Sequence, residues 1–164
     1  MSAHHIGWAL GFFESIVLSD ESQAVDGEDF INIDNDDEYN EKDSLNSLVT
    51  IYALPQDIEL ARNTCLVASK ALSYFLSEFG SYPFSSYVIA FVKFSPVKSG
   101  GFAGLSILST ELLYPPDLIE PMFTSTDVLL TSIASQWSGI NIAPHSFDDI
   151  WCTIGTVSYT HLRA

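Results

Sequence analysis

The sequence predicts an α+β domain in which helices pack against a small sheet. Three observations carry that prediction. Runs rich in β-branched and aromatic residues stand at Ser47–Leu54 and Tyr87–Phe94, the composition of strands. Between them, apolar residues recur at three- and four-residue steps, the period of an amphipathic helix. Apolar residues make up 47% of the 164-residue chain and aromatics 13%, enough to fill a core and too much for a disordered chain.

Taken in order, Ile6–Leu18 is apolar and aromatic and reads as a strand or strand pair, with Gly7 and Gly11 at bulges or turns. Residues 19–46 read as an acidic, disordered insertion. Within it, residues 19–44 hold 11 of the 21 acids and one base, Lys42, a local charge of -10 out of the chain's -15. Like charges repel there, and little apolar surface offsets the entropy of ordering. Asp34, Asp36 and Glu38 open like an EF-hand loop, but Tyr39 stands where the loop needs Gly and Leu45 where it needs a bidentate Glu, so a solvated acidic loop is the reading.

The strand at Ser47–Leu54 ends at Pro55. A helix of about 24 residues is predicted from there to Phe79, with Ile58, Ala61, Cys65, Ala68, Leu72, Phe75 and Leu76 on its apolar face. Pro55 suits a first turn, Asp57 and Glu59 suit the positive end of the helix dipole, and Gly80 suits the position just past the end. Tyr82-Pro83-Phe84 is a turn, and Tyr87–Phe94 is a strand apolar enough to be buried on both faces. Pro96–Gly101 reads as a loop and Gly104–Leu108 as a short strand. A second helix is predicted over Asp127–Gly139, with Val128, Leu129, Ile133, Ala134 and Trp137 in the core. A third opens at the Ser146–Asp149 cap pattern, carries Ile150, Trp151 and Ile154, and stops at Gly155.

Charge and composition exclude several functions. With 21 acids against 6 bases, the chain lacks the basic face a free-standing nucleic-acid-binding domain needs. No run of 18 apolar residues occurs, so no membrane-spanning helix is expected. Cys65 and Cys152 make neither a disulfide framework nor a zinc site, and both read as buried thiols in a reducing compartment. His4 and His5 point to different faces, and His145 reads as a solvent-facing loop residue. No phosphate loop and no nucleophile elbow is present.

The informative pattern is Thr-Ser-Ile-Ala-Ser-Gln-Trp-Ser-Gly at 131–139, then Asp-Asp-Ile-Trp-Cys-Thr-Ile-Gly at 148–155. It resembles the gluzincin aminopeptidases, whose motif H-E-x-x-H-Q-W-F-G is followed by a glutamate in an N-D-x-W-x-x-E-G context. Gln136, Trp137 and Gly139, then Asp149, Trp151 and Gly155, match at preserved spacing. The resemblance implies a partial thermolysin-like domain at 47–156, preceded at 1–18 by the last strand of an amino-terminal β-domain. A catalytic zinc site needs three protein ligands and an open place for water. The positions the resemblance assigns to the two histidines hold Thr131 and Ser135, the base position holds Ser132, and the third ligand position holds Ile154. Hydroxyls are poor zinc ligands and isoleucine offers no lone pair. The family's amine-recognition motif falls at Lys98–Phe102 (KSGGF) and is also lost. The expectation is a pseudoenzyme with no catalytic residue, metal or cofactor.

A narrower resemblance fits these departures. Ile6–Glu14 (IGWALGFFE), Ala103–Leu113 (AGLSILSTELL) and the altered helix at 131–139 are similar to segments of the large TATA-binding-protein-associated factors of the general transcription factor TFIID. That family implies a nuclear, non-catalytic scaffold and promoter-recognition role in RNA polymerase II initiation. Its partners would be other TFIID subunits and the TATA-binding protein, with core-promoter DNA contacted through the full-length subunit and not through this stretch. It also implies an incomplete chain, because those factors are far longer. The alternative is a zinc aminopeptidase-family protein, active or a different pseudoenzyme. Residues 157–164 do not continue the family's helix and read as foreign, vector-like sequence.

Overall fold

The computed structural model describes residues 5–18, 49–94 and 97–163, with side chains as far as Tyr159. The acidic insertion, with its Asp34, Asp36 and Glu38, lies outside the described residues, as do His4, Leu48 and Pro96. Five strands form one sheet: β1 (Glu14–Val17), β2 (Val49–Ala53), β3 (Tyr87–Val92), β4 (Ser99–Phe102) and β5 (Leu105–Ser109). Their order across the sheet is β1-β2-β3-β5-β4, with β2, β3 and β5 parallel and the two edge strands antiparallel to their neighbours. Among the described residues, four α-helices accompany it: α1 (Ile58–Thr64), α2 (Leu66–Phe79), α3 (Glu120–Ala134) and α4 (Ile150–Arg163).

A parallel pair needs a crossover connection, and α1 with α2 supplies the one between β2 and β3. The core is where the apolar face of these helices meets the sheet. Ala61, Cys65, Ala68, Leu72 and Phe75 join Ile51, Ala53, Ile89, Phe91 and Leu108 in one buried cluster. Leu129, Ile133 and Trp137 extend it under α3. Tyr87 is fully buried and satisfies its hydroxyl by donating to Ser106 Oγ at 2.8 Å. Burial raises the phenol of Tyr87 and the thiol of Cys65, so both stay protonated.

Several sequence expectations need correction. The helix after Pro55 is two helices, broken at Cys65 (φ -93°, ψ 6°). Thr64 Oγ1 donates to the Leu60 carbonyl at 2.8 Å, a back-bond that bends helices. The same hydroxyl accepts from Tyr114 N–H, and Asn63 Nδ2 donates to the Tyr114 carbonyl, so the chain at Tyr114 is pinned against the break. Residues 99–101, read as loop, form β4 together with Phe102, because pairing with β5 overrides the weak strand propensity of two glycines. Helix α3 begins seven residues before Asp127, since Pro121 sits in its first turn where its missing N–H costs nothing. It ends at Ala134, and Gly139 (φ 121°) closes the turn that follows.

Gly155 does not stop α4, which runs on to Arg163 and so passes through residues 157–163. A lone glycine costs a helix about 1 kcal/mol and does not end it without left-handed cap geometry. Cys152 is exposed and not buried. Trp151 and Ile154, expected in the core, are 70% and 58% exposed. At the other end, only Glu14–Val17 of the predicted 6–18 strand joins the sheet. From Ile6 to Phe12 the residues alternate: Gly7, Ala9 and Gly11 interleave with exposed Ile6, Trp8, Leu10 and Phe12. A Cβ on Gly7 would collide with the Phe102 ring, so the small residue is what allows this segment to lie so close to β4.

These exposed side chains set an expectation for the isolated chain. Each Trp, Phe, Leu or Ile left in water forgoes roughly 1.5–3 kcal/mol of burial, and several together rival the stability of a typical domain. The 164-residue chain should therefore bind a hydrophobic dye, self-associate and melt broadly. A soluble monomer with one sharp calorimetric transition would contradict this.

Candidate functional site: the end of helix α3

Of the residues singled out in the sequence, Ser132, Ser135, Gln136 and Trp137 stand where α3 ends beside β4, while Trp151 and Ile154 are on α4 and exposed. Local bonding explains how each is used. Ser132 is buried and donates its hydroxyl to the Val128 carbonyl at 2.8 Å. Ser135 Oγ turns back to the Ser132 carbonyl at 2.7 Å. Both hydroxyls thus spend their protons on α3's own backbone. Thr131 is half-buried one turn before Ser135. Ile154 is on α4, where its neighbour Thr153 makes the contact with the α3 terminus: a Cβ on Gly139 would meet Thr153 Cγ2 at 3.2 Å.

Gln136 organises the site, and it is fully buried. Its Nε2 donates to the Phe102 carbonyl at 3.1 Å, and its Oε1 accepts from Gly104 N–H at 3.0 Å. Tyr82 also donates its hydroxyl to Oε1, at 3.3 Å. Burial, with a smaller contribution from Tyr87, raises the Tyr82 phenol, which keeps that hydroxyl a donor. One amide therefore joins α3 to the end of β4, to the β4–β5 turn and to the turn after α2. Gly104 has a φ of 68°, the left-handed conformation that favours glycine and lets the turn offer its N–H.

Trp137 supplies the apolar half of the same junction. Its ring packs against Tyr82 at 5.3 Å, Phe79 at 5.8 Å and Phe75 at 6.1 Å between centroids. Its indole N–H donates to the Ser81 carbonyl at 3.2 Å. A cavity of about 360 Å³ opens beside it, walled by Phe79, Trp137, Ile142, Cys152 and Thr153 and carrying one carboxylate, Asp149. Sequence reasoning identified Gln136 and Trp137 from their motif spacing and missed their partners Phe102, Gly104, Tyr82 and Ser81. The signal available was chemical: a glutamine among core residues has to find hydrogen bonds.

The Lys98–Phe102 segment lies along this junction as β4. A Cβ on Gly101 would meet Ile140 Cδ1 at 3.1 Å and Ser135 Oγ at 3.2 Å, so β4 and the end of α3 stand nearly in contact. The donor set does not suit the zinc ion that a gluzincin fold implies. Two committed serine hydroxyls, a threonine and an isoleucine offer no thiolate, imidazole or carboxylate. Among the described residues, no group of three or more His, Cys, Asp or Glu is placed to hold a metal.

The Gln136 amide yields a test. Gln136→Ala leaves the Phe102 carbonyl and the Gly104 N–H without their partner, at about 1–3 kcal/mol for each buried group. Hydrogen exchange at the Gly104 amide should quicken by roughly tenfold or more. Gln136→Glu sets a carboxylate against the Phe102 carbonyl, and burial then raises its folded-state pKa above the unfolded value. Such a group binds its proton more tightly when folded, so protection should return as pH falls through the raised pKa and be lost above it. Wild-type exchange in both variants would show that the amide is not the tie.

With this geometry in place, comparison with known proteins gives a consistent answer. No protein-family model matches the sequence. Transcription initiation factor TFIID subunit 2 of Saccharomyces cerevisiae is 35% identical over 173 aligned residues, covering 97% of this chain and 12% of that protein. The protein of the same name from Schizosaccharomyces pombe is 36% identical over 111 residues, 68% of this chain and 10% of its own length. That from Drosophila melanogaster is 29% identical over 112 residues. This chain spans about a tenth of the length of these relatives. Among solved structures, Legionella pneumophila aminopeptidase A superposes with a TM-score of 0.63 at 15% identity, covering 70% of this chain and 14% of that one. Yeast LTA4 hydrolase superposes with a TM-score of 0.59 at 19% identity, covering 73% and 18%. Those likenesses speak to fold alone: the α+β arrangement is part of an aminopeptidase-like domain. Sequence and fold together make this chain a member of the TFIID subunit 2 family, over a short stretch of that family's length.

Proposed function

We propose that this stretch is a non-catalytic structural element of a TFIID subunit acting in RNA polymerase II transcription initiation. The observation that carries the reading is a division of roles at the end of α3. Gln136 and Trp137 hold the junction by packing and hydrogen bonding. The positions that would carry metal chemistry in an aminopeptidase hold Thr131, Ser132, Ser135 and Ile154. The chain is a pseudoenzyme on this reading, with its fold kept for support and its zinc ligands and general base replaced. The 35% identity to a yeast TFIID subunit 2 supports the transcriptional role.

The whole protein would work in the nucleus, bound to other TFIID subunits and to the TATA-binding protein. Contact with core-promoter DNA would be made elsewhere in the subunit. Between Gly100 and Leu162 the sequence has no Lys or Arg, so this half has nothing with which to neutralise phosphates. The domain division goes with this reading: residues 1–18 end a preceding β-domain, 47–156 belong to the aminopeptidase-like domain, and 157–164 are foreign to it.

The rival reading, a zinc aminopeptidase, draws on the likeness of fold. It would have to find its ligands outside the helix positions that normally supply them.

Two experiments test the proposal. Affinity purification of the full-length protein from nuclear extract should recover the TATA-binding protein and the other TFIID subunits. Their absence would overturn the assignment. The second restores the lost chemistry with Thr131→His, Ser132→Glu, Ser135→His and Ile154→Glu in the full-length protein. On this reading the unsubstituted protein should neither retain stoichiometric zinc after dialysis nor hydrolyse aminoacyl reporters, and only the substituted protein can gain either. Continued co-purification with TFIID would show that the variant still folds. Zinc at one equivalent with turnover in the unsubstituted protein would overturn the reading.

A further inference from the structure

We draw no further inference here: the strongest candidate, the row of exposed apolar side chains Ile6, Trp8, Leu10 and Phe12 beside Phe94 and Val97 at the β4 edge of the sheet, carries nothing because nothing in the structure shows what covers it.

Discussion

A primary amide with no access to water must find its hydrogen bonds inside the protein, and Gln136 finds them in three different places. That requirement fixes how the end of α3 meets the sheet. The Phe102 carbonyl and the Gly104 N–H lie on either side of the β4–β5 turn, so binding both holds that turn against the helix. The Tyr82 hydroxyl brings in the connection between α2 and β3. Trp137 then stacks on Tyr82, Phe79 and Phe75, which seals the junction with apolar surface. A buried polar network of this kind is costly if any member is missing, and here the amide has its partners.

On the proposed reading, the same junction lets catalytic residues be replaced without loss of the fold. In a helix, residues three or four apart share a face, which places Thr131 with Ser135. Thr131 and Ser135 lie on one face; Ile133, Gln136 and Trp137 are buried against the sheet. Ser132 and Ser135 each satisfy their hydroxyl on the helix backbone, so neither asks anything of its surroundings. On the proposed reading, such residues stand in for metal ligands and leave the amide network intact. A Cβ on Gly101 would meet Ser135 and Ile140 at 3.2 and 3.1 Å, so β4 runs close to the end of α3.

Much of this was legible in the sequence, and the reasons for the failures are physical. The 3.6-residue period found the α1–α2 region but not the break at Cys65, which depends on Thr64 and Asn63 binding Tyr114 some 50 residues away. Propensity disfavoured a strand at Ser99–Phe102, yet β5 beside it provides a ladder that residue-level preference cannot anticipate. Apolar periodicity placed Trp151 and Ile154 in a core, but on α4 they stay 70% and 58% exposed. For the site, motif spacing picked out Gln136 and Trp137. It could not show that Gln136 ties three elements, because the partners include backbone groups brought near only by the fold.

The central claim is that this fold is held together by packing and hydrogen bonding where an aminopeptidase would place a metal. Metal analysis of the full-length protein, purified without chelators and dialysed against micromolar zinc, tests it most directly. The account predicts zinc well below one equivalent in folded protein. One tightly held zinc per chain, lost together with hydrolysis of aminoacyl substrates on chelation, would contradict it.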